Sequence, residues 1–319
     1  MTSTFPHPGR VIHTGQAIVD LVMQVERFPE TGGDVFATRH ELHAGGGTNV
    51  MVAARRAGAD VVYAGAHGTG PFGDVVRRAL AADGVRLAAP ISSDGDTGFC
   101  VAVTDANAER TFLSTWGVEA RVGLEDLQRA DVAGNDVVYV SGYSGMHAAN
   151  AAALAAFLPT LPDSARVVVD PAPVVGDVPF DFLQALANRT NIWSSNQREA
   201  ETLARRLQLR IDSHDDASLS EQLAAAMSCT VVLRVGARGC FVALPGERAT
   251  HFPAPKVQAL DTNGAGDAHL GVMCARLCLG RPFHEAIVWA NAAAALAVTK
   301  FGPATCPSED AIVALLGRS

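Results

Sequence analysis

The chain lacks any uninterrupted run of about 18 apolar residues, the minimum for a membrane-crossing helix. Its opening Met1-Thr2-Ser3-Thr4-Phe5-Pro6-His7-Pro8 carries no apolar signal core. A cytoplasmic protein with no membrane partner is therefore expected. It also lacks a basic stripe: the 25 Lys and Arg residues are scattered and the net charge is −8, so nucleic acid is not an expected partner. No CxxC pair occurs, and the six cysteines stand apart except for Cys274 and Cys278, one helical turn from each other. That spacing excludes a disulfide framework and a zinc knuckle, and leaves the thiols as small buried hydrophobes. GxxxxGK[ST] and HExxH are both missing. The glycines of Gly65-Ala66-His67-Gly68-Thr69-Gly70 do not follow the GxGxxG order and run into Pro71, which argues against a dinucleotide fingerprint.

What is present is length and apolar content. At 319 residues and 48% hydrophobic composition, the chain is long enough for one large α/β domain with a small appendage. β-rich runs such as Val61–Ala64, Val137–Val140, Val167–Val169 and Val231–Val235 alternate with stretches of helical spacing, Val75–Ala82, Ala148–Phe157, Glu199–Leu207 and Leu219–Met227. This alternation predicts a doubly wound, mostly parallel sheet flanked by helices. Two regions, about 17–42 and 98–116, instead alternate polar and apolar residues around turns. They predict a small separate β-sheet suited to act as a lid.

The strongest chemical signal is Asp261-Thr262-Asn263-Gly264-Ala265-Gly266-Asp267 leading into the helical run Ala268–Leu279. Small residues entering a helix leave N–H groups free to face an anion such as phosphate. A carboxylate beside that nest would repel phosphate, so Asp267 reads as a base that removes a proton from an attacking hydroxyl. The alternative is a glycine-rich turn with an ordinary N-terminal carboxylate. The second signal is Gly45-Gly46-Gly47-Thr48-Asn49 before the helix Val50–Ala57, where glycines permit close approach and Asn49 can both donate to and accept from a sugar hydroxyl. A tight turn capped by Thr48 or Asn49 is the alternative there.

Taken in order, these segments resemble the ribokinase-like, or PfkB, family of carbohydrate kinases over nearly the whole chain. The matching elements are a strand ending in Asp20, Gly45–Asn49, Asn196-Gln197-Arg198-Glu199, Gly236-Ala237-Arg238-Gly239, Asp261–Asp267, and Asn291 in the helix Glu285–Thr299. The resemblance implies a single ribokinase-like domain over 1–319 that transfers the γ-phosphoryl group of ATP to a sugar hydroxyl. Asp267 would be its general base, with the backbone of Gly264, Ala265 and Gly266 stabilising charge. Asp20, Gly45, Gly46, Gly47 and Asn49 would bind the sugar. Asn196 and Glu199 would organise Mg²⁺ through water. Arg234, Gly236, Gly239 and Asn291 would line the nucleotide pocket. A potassium ion is implied around Asp261, Asn263 and the stretch 297–302. Family members commonly carry acids where Gly70-Pro71 stands, a departure assigned to a surface turn. Arg110 reads either as a contact for an acidic substrate or as a solvated strand residue. Ser141-Gly142-Tyr143 is expected to face the pocket. An unphosphorylated pentose, hexose or polyol is the expected substrate. A nucleoside or phosphosugar kinase, or a catalytically silent sugar- or nucleotide-binding protein, is the alternative. Exposed lid edges are compatible with a homodimer through the lid.

Overall fold

The computed structural model describes residues 8–107, 109–210, 215–302 and 305–317. The absence of a signal core was read on residues that, Pro8 apart, lie outside these. Among the described residues, thirteen strands run in chain order: β1 Arg10–His13, β2 Ala17–Gln24, β3 Arg39–Gly46, β4 Asp60–Tyr63, β5 Arg86–Leu87, β6 Phe99–Thr104, β7 Arg110–Ser114, β8 Val137–Ser141, β9 Arg166–Asp170, β10 Ile192–Asn196, β11 Thr230–Arg234, β12 Cys240–Ala243 and β13 Thr250–Phe252. The α-helices are α1 Thr48–Arg56, α2 Pro71–Ala82, α3 Leu124–Gln128, α4 Ala148–Phe157, α5 Phe180–Ala187, α6 Gln197–Arg206, α7 Asp216–Met227, α8 Ala265–Cys278, α9 Phe283–Ala297 and α10 Glu309–Leu316.

The large sheet has the order β13-β12-β11-β10-β9-β8-β1-β4-β5. It is parallel from β11 to β5, and β12 and β13 close one edge antiparallel. Its short apolar runs are buried on both faces, as parallel strands covered by helices must be. Alternate residues split into two cores: Val11, Val137, Tyr139 and Val168 face α1, α8 and α9, while Ile12, Val138, Val140 and Val169 face α4 to α7. The chain starts in mid-sheet at β1, builds outward through β4 and β5, then returns to the other side at β8. That reversal places a topological switch point at the carboxyl ends of β1 and β8, where open α/β sheets bind their ligands.

Four strands form the predicted second sheet, in the order β3-β2-β6-β7. β2 pairs antiparallel with β3 and parallel with β6, and β6 pairs antiparallel with β7. The first segment continues past residue 42, because Gly45 and Gly46 pair with Ile18 and Ala17 as the end of β3 rather than forming a free turn. Two carboxylates secure the base of this sheet. Buried Glu119 accepts from the N–H groups of Gly98 and Gly117, both at 2.8 Å. Asp96 accepts from Phe72 and Gly73 in the first turn of α2, at 3.0 and 2.7 Å, a capping role for a helix that begins with Pro71.

Candidate active site

Five parallel strands end around one point, at His13, Ser141, Asp170, Asn196 and Arg234, and the N-termini of α1 and α8 meet them there. α1 and α8 pack closely because a Cβ on Gly271 would lie 2.4 Å from the Val50 carbonyl. This contact sets the first turns of the two helices side by side. Asn49 Nδ2 donates to Asp267 Oδ2 at 3.1 Å. Burial pushes the Asp267 carboxyl up to about 7; the Asn49 hydrogen bond and Arg234 oppose the rise, and Asp170 and Asp20 add to it. Asp267 stands in the first turn of α8, which enters from Gly264 at φ +74° without a side-chain cap. Its first N–H groups therefore have no intrahelical partner and can receive an anion.

Asp20 projects from β2, and burial raises its carboxyl to about 6 against the opposing charge of His43. The glycine run beside it has a different reason from close ligand approach alone. A Cβ at Gly45 would lie 2.0 Å from Asp20 Oδ2, and one at Gly47 would lie 2.2 Å from His13 Cε1. These glycines make room for the site's own side chains.

On the other side of Asp267, the Arg234 guanidinium is 3.4 Å from Glu199 and 3.6 Å from Asp170, and it donates to the Gly266 carbonyl at 3.3 Å. Asn196 and Glu199 form a reciprocal capping box on α6: Asn196 Oδ1 accepts the Glu199 N–H at 2.9 Å, and Glu199 accepts the Asn196 N–H at 2.8 Å. Burial, then repulsion from Asp170, raises the Glu199 carboxyl above its usual range. Two carboxylates that repel each other across one arginine, next to an anion-receiving helix end, suit a hydrated divalent cation reached through water. Asp170 escaped the sequence reading. Its one signal was an acid closing the run Val167-Val168-Val169 at the carboxyl end of a parallel strand.

The remaining expected residues fall at the margins of this cluster. Gly236 and Gly239 turn the β11–β12 hairpin with positive φ. Buried Asn291 donates to the Phe252 carbonyl at 2.9 Å, tying the end of β13 to α9. Asp261 collects three donors: Arg110 Nη2 at 3.1 Å, the Asn263 N–H at 3.0 Å and the Gly302 N–H at 3.1 Å. Burial opposes its ionisation, yet these hydrogen bonds hold the carboxyl below its usual range. Arg110 is thus an ion-pair partner of the large domain.

Comparisons with known proteins bear on the family and the fold. The profile of the pfkB family carbohydrate kinases matches residues 9–311. The Escherichia coli K12 sugar kinase YegV is 28% identical over 95% of this chain and 92% of its own. The ATP-dependent ribose-1-phosphate kinase of Halopiger xanaduensis is 29% identical over 97% of this chain and 98% of its own. Among solved structures, Arabidopsis thaliana ribokinase complexed with ribose and ATP superposes with a TM-score of 0.79 at 21% identity, covering 98% of this chain and 99% of the other.

Proposed function

Since this chain belongs to the pfkB family of carbohydrate kinases, and so is a phosphotransferase with an alcohol acceptor, we propose that it moves the γ-phosphoryl group of ATP onto a sugar hydroxyl with Asp267 as general base. The observation that carries the proposal is the Asp267 carboxylate itself, raised to about 7 and held by Asn49 in the first turn of α8. A base poised near neutral pH combines enough unprotonated form with enough proton affinity. In the proposed reaction the acceptor oxygen bonds to the γ-phosphorus, its proton passes to Asp267, and the bond to the β,γ-bridging oxygen breaks to release ADP. Asp20 and Asn49 orient the other hydroxyls, and the N–H groups at Gly264–Asp267 stabilise charge on the transferring oxygens. ATP supplies the phosphoryl group, and Asp170 and Glu199 would hold the hydrated Mg²⁺ that accompanies it.

The sheet β3-β2-β6-β7 acts in this reading as a lid over the sugar. Its other face carries the row Leu42–Leu21–Val101–Leu113 across all four strands, with Leu42 46% and Leu113 60% exposed. A second copy of the chain would cover that row, giving a homodimer through the lid.

The test is ATP consumption by the purified protein with Mg²⁺ over a panel of free sugars, sugar phosphates and nucleosides. Asp267→Asn is expected to lower kcat for the acceptor found by at least about 10²-fold, with nucleotide affinity retained. An unaltered rate in the variant would remove Asp267 from its role.

A further inference from the structure

A groove lined by none of the sugar-binding residues lies just past the end of β7. On the substrate face of the lid, Asp20 lies beside Cys100 and Cys100 beside Ser114. Two residues beyond Ser114, Trp116 is 74% exposed. It opens a groove of about 380 Å³ whose other walls include Ala120, Arg121, Met146 and His147, within the ~300–1,000 Å³ range of small-molecule sites. Trp116 stands edge-on to the His147 ring at 4.9 Å. Met146 ends the same short turn of 3₁₀-helix, Gly142–Met146, that holds Tyr143, and the two are 37% and 47% exposed. The charges of Asp170, Glu199 and Asp267 all bear on the Tyr143 hydroxyl, so this turn links the reaction centre to the groove.

The chemistry of the walls selects the occupant. Burial holds His147 below the usual imidazole range, with Glu119 opposing, which leaves a neutral ring near pH 7. Arg121 directs its guanidinium to the Asp94 carbonyl at 3.1 Å. A phosphate group would require fixed cations, whereas the groove presents an indole, a thioether and a neutral imidazole. Such walls take a flat, uncharged ring by stacking and edge contacts.

We propose that this groove seats a planar heterocycle carried by the acceptor sugar, so that the substrate class is a nucleoside rather than a free or phosphorylated sugar. The proposal rests on the kinase reading above and narrows it.

The experiment measures binding of adenosine, uridine, ribose and ribose phosphate to the Asp267→Asn protein by calorimetry, and turnover of the same compounds by the wild-type protein with ATP and Mg²⁺. Nucleosides are expected to bind at least about 10-fold more tightly than ribose, in keeping with one base–aromatic stack. Trp116→Ala is expected to lower the nucleoside-to-ribose preference by about 10-fold, and Trp116→Phe to keep most of it. Ribose or its phosphate binding as well as the nucleosides, or a preference indifferent to Trp116→Ala, overturns the groove assignment. Nucleoside binding without turnover of any compound would instead leave the groove standing and overturn the kinase reading. Because Trp116 is exposed, its replacement does not threaten the fold.

Discussion

Asp267 and Asn49 lie 218 residues apart and meet through a single hydrogen bond, and the pH behaviour of catalysis should reveal it. The carboxylate is the working form of Asp267, so kcat/KM is expected to rise with pH through about 7 and level off above, with Asp20 near 6 steepening the acid limb. Asn49 donates to the charged form and thereby lowers this value. Its removal in Asn49→Ala should shift the midpoint of the limb upward, as a pH–rate profile would show; a downward shift would contradict the contact. The same raised value has a cost in stability. Ionisation of Asp267 opposes folding, fully above about 7, and the penalty fades as pH falls toward the ordinary value of 3.8. At this scale the sequence was informative where chemistry and local turn coincide, as at Asp267 in a glycine-rich helix start. It was silent on Asp170, whose meaning depends on Arg234 arriving from the end of β11 and Glu199 from the first turn of α6. It also left Arg110 undecided, because Asp261 lies 151 residues further on.

Elements were legible in proportion to their periodicity. The run Ala148–Phe157 is observed with the same bounds, and the four quoted strand runs agree with observed strands to within a residue at each end. Helix starts were less visible: α2 begins at Pro71, four residues before the apolar spacing becomes evident, because its first turn is capped by Asp96 from a distant loop. The end of β3 was hidden for another reason, since Gly45 and Gly46 read as turn formers while their strand pairing depends on Asp20 needing the space above Gly45. Glu119 and Asp96 fix the base of this sheet through backbone hydrogen bonds, and in the proposed reading the sheet beyond them closes on the acceptor. Hydrogen exchange in residues 17–46 and 98–116 is accordingly expected to slow when the acceptor binds, while β8 to β11 change little. Equal protection before and after binding would count against closure.

Across the whole molecule, the doubly wound order converges strand ends, helix N-termini and lid roots on one switch point, and alternating βα segments made that architecture readable before any contact was known. The apolar lid row was not readable, because it exists only once four strands are in register. If that row joins two copies, Leu113→Glu should turn a dimer into a monomer in sedimentation measurements, while a wild-type protein that sediments as a monomer would rule the pairing out. The six cysteines, all buried, are spread through this architecture: Cys100 in the lid strand β6, Cys240 in β12, and Cys274 and Cys278 in α8 among them. A thiol-directed reagent can reach each one only when its own part of the chain opens. The protein thus carries its own set of chemical clocks, with Cys100 reporting any opening of the small sheet and Cys274 any opening of the central core.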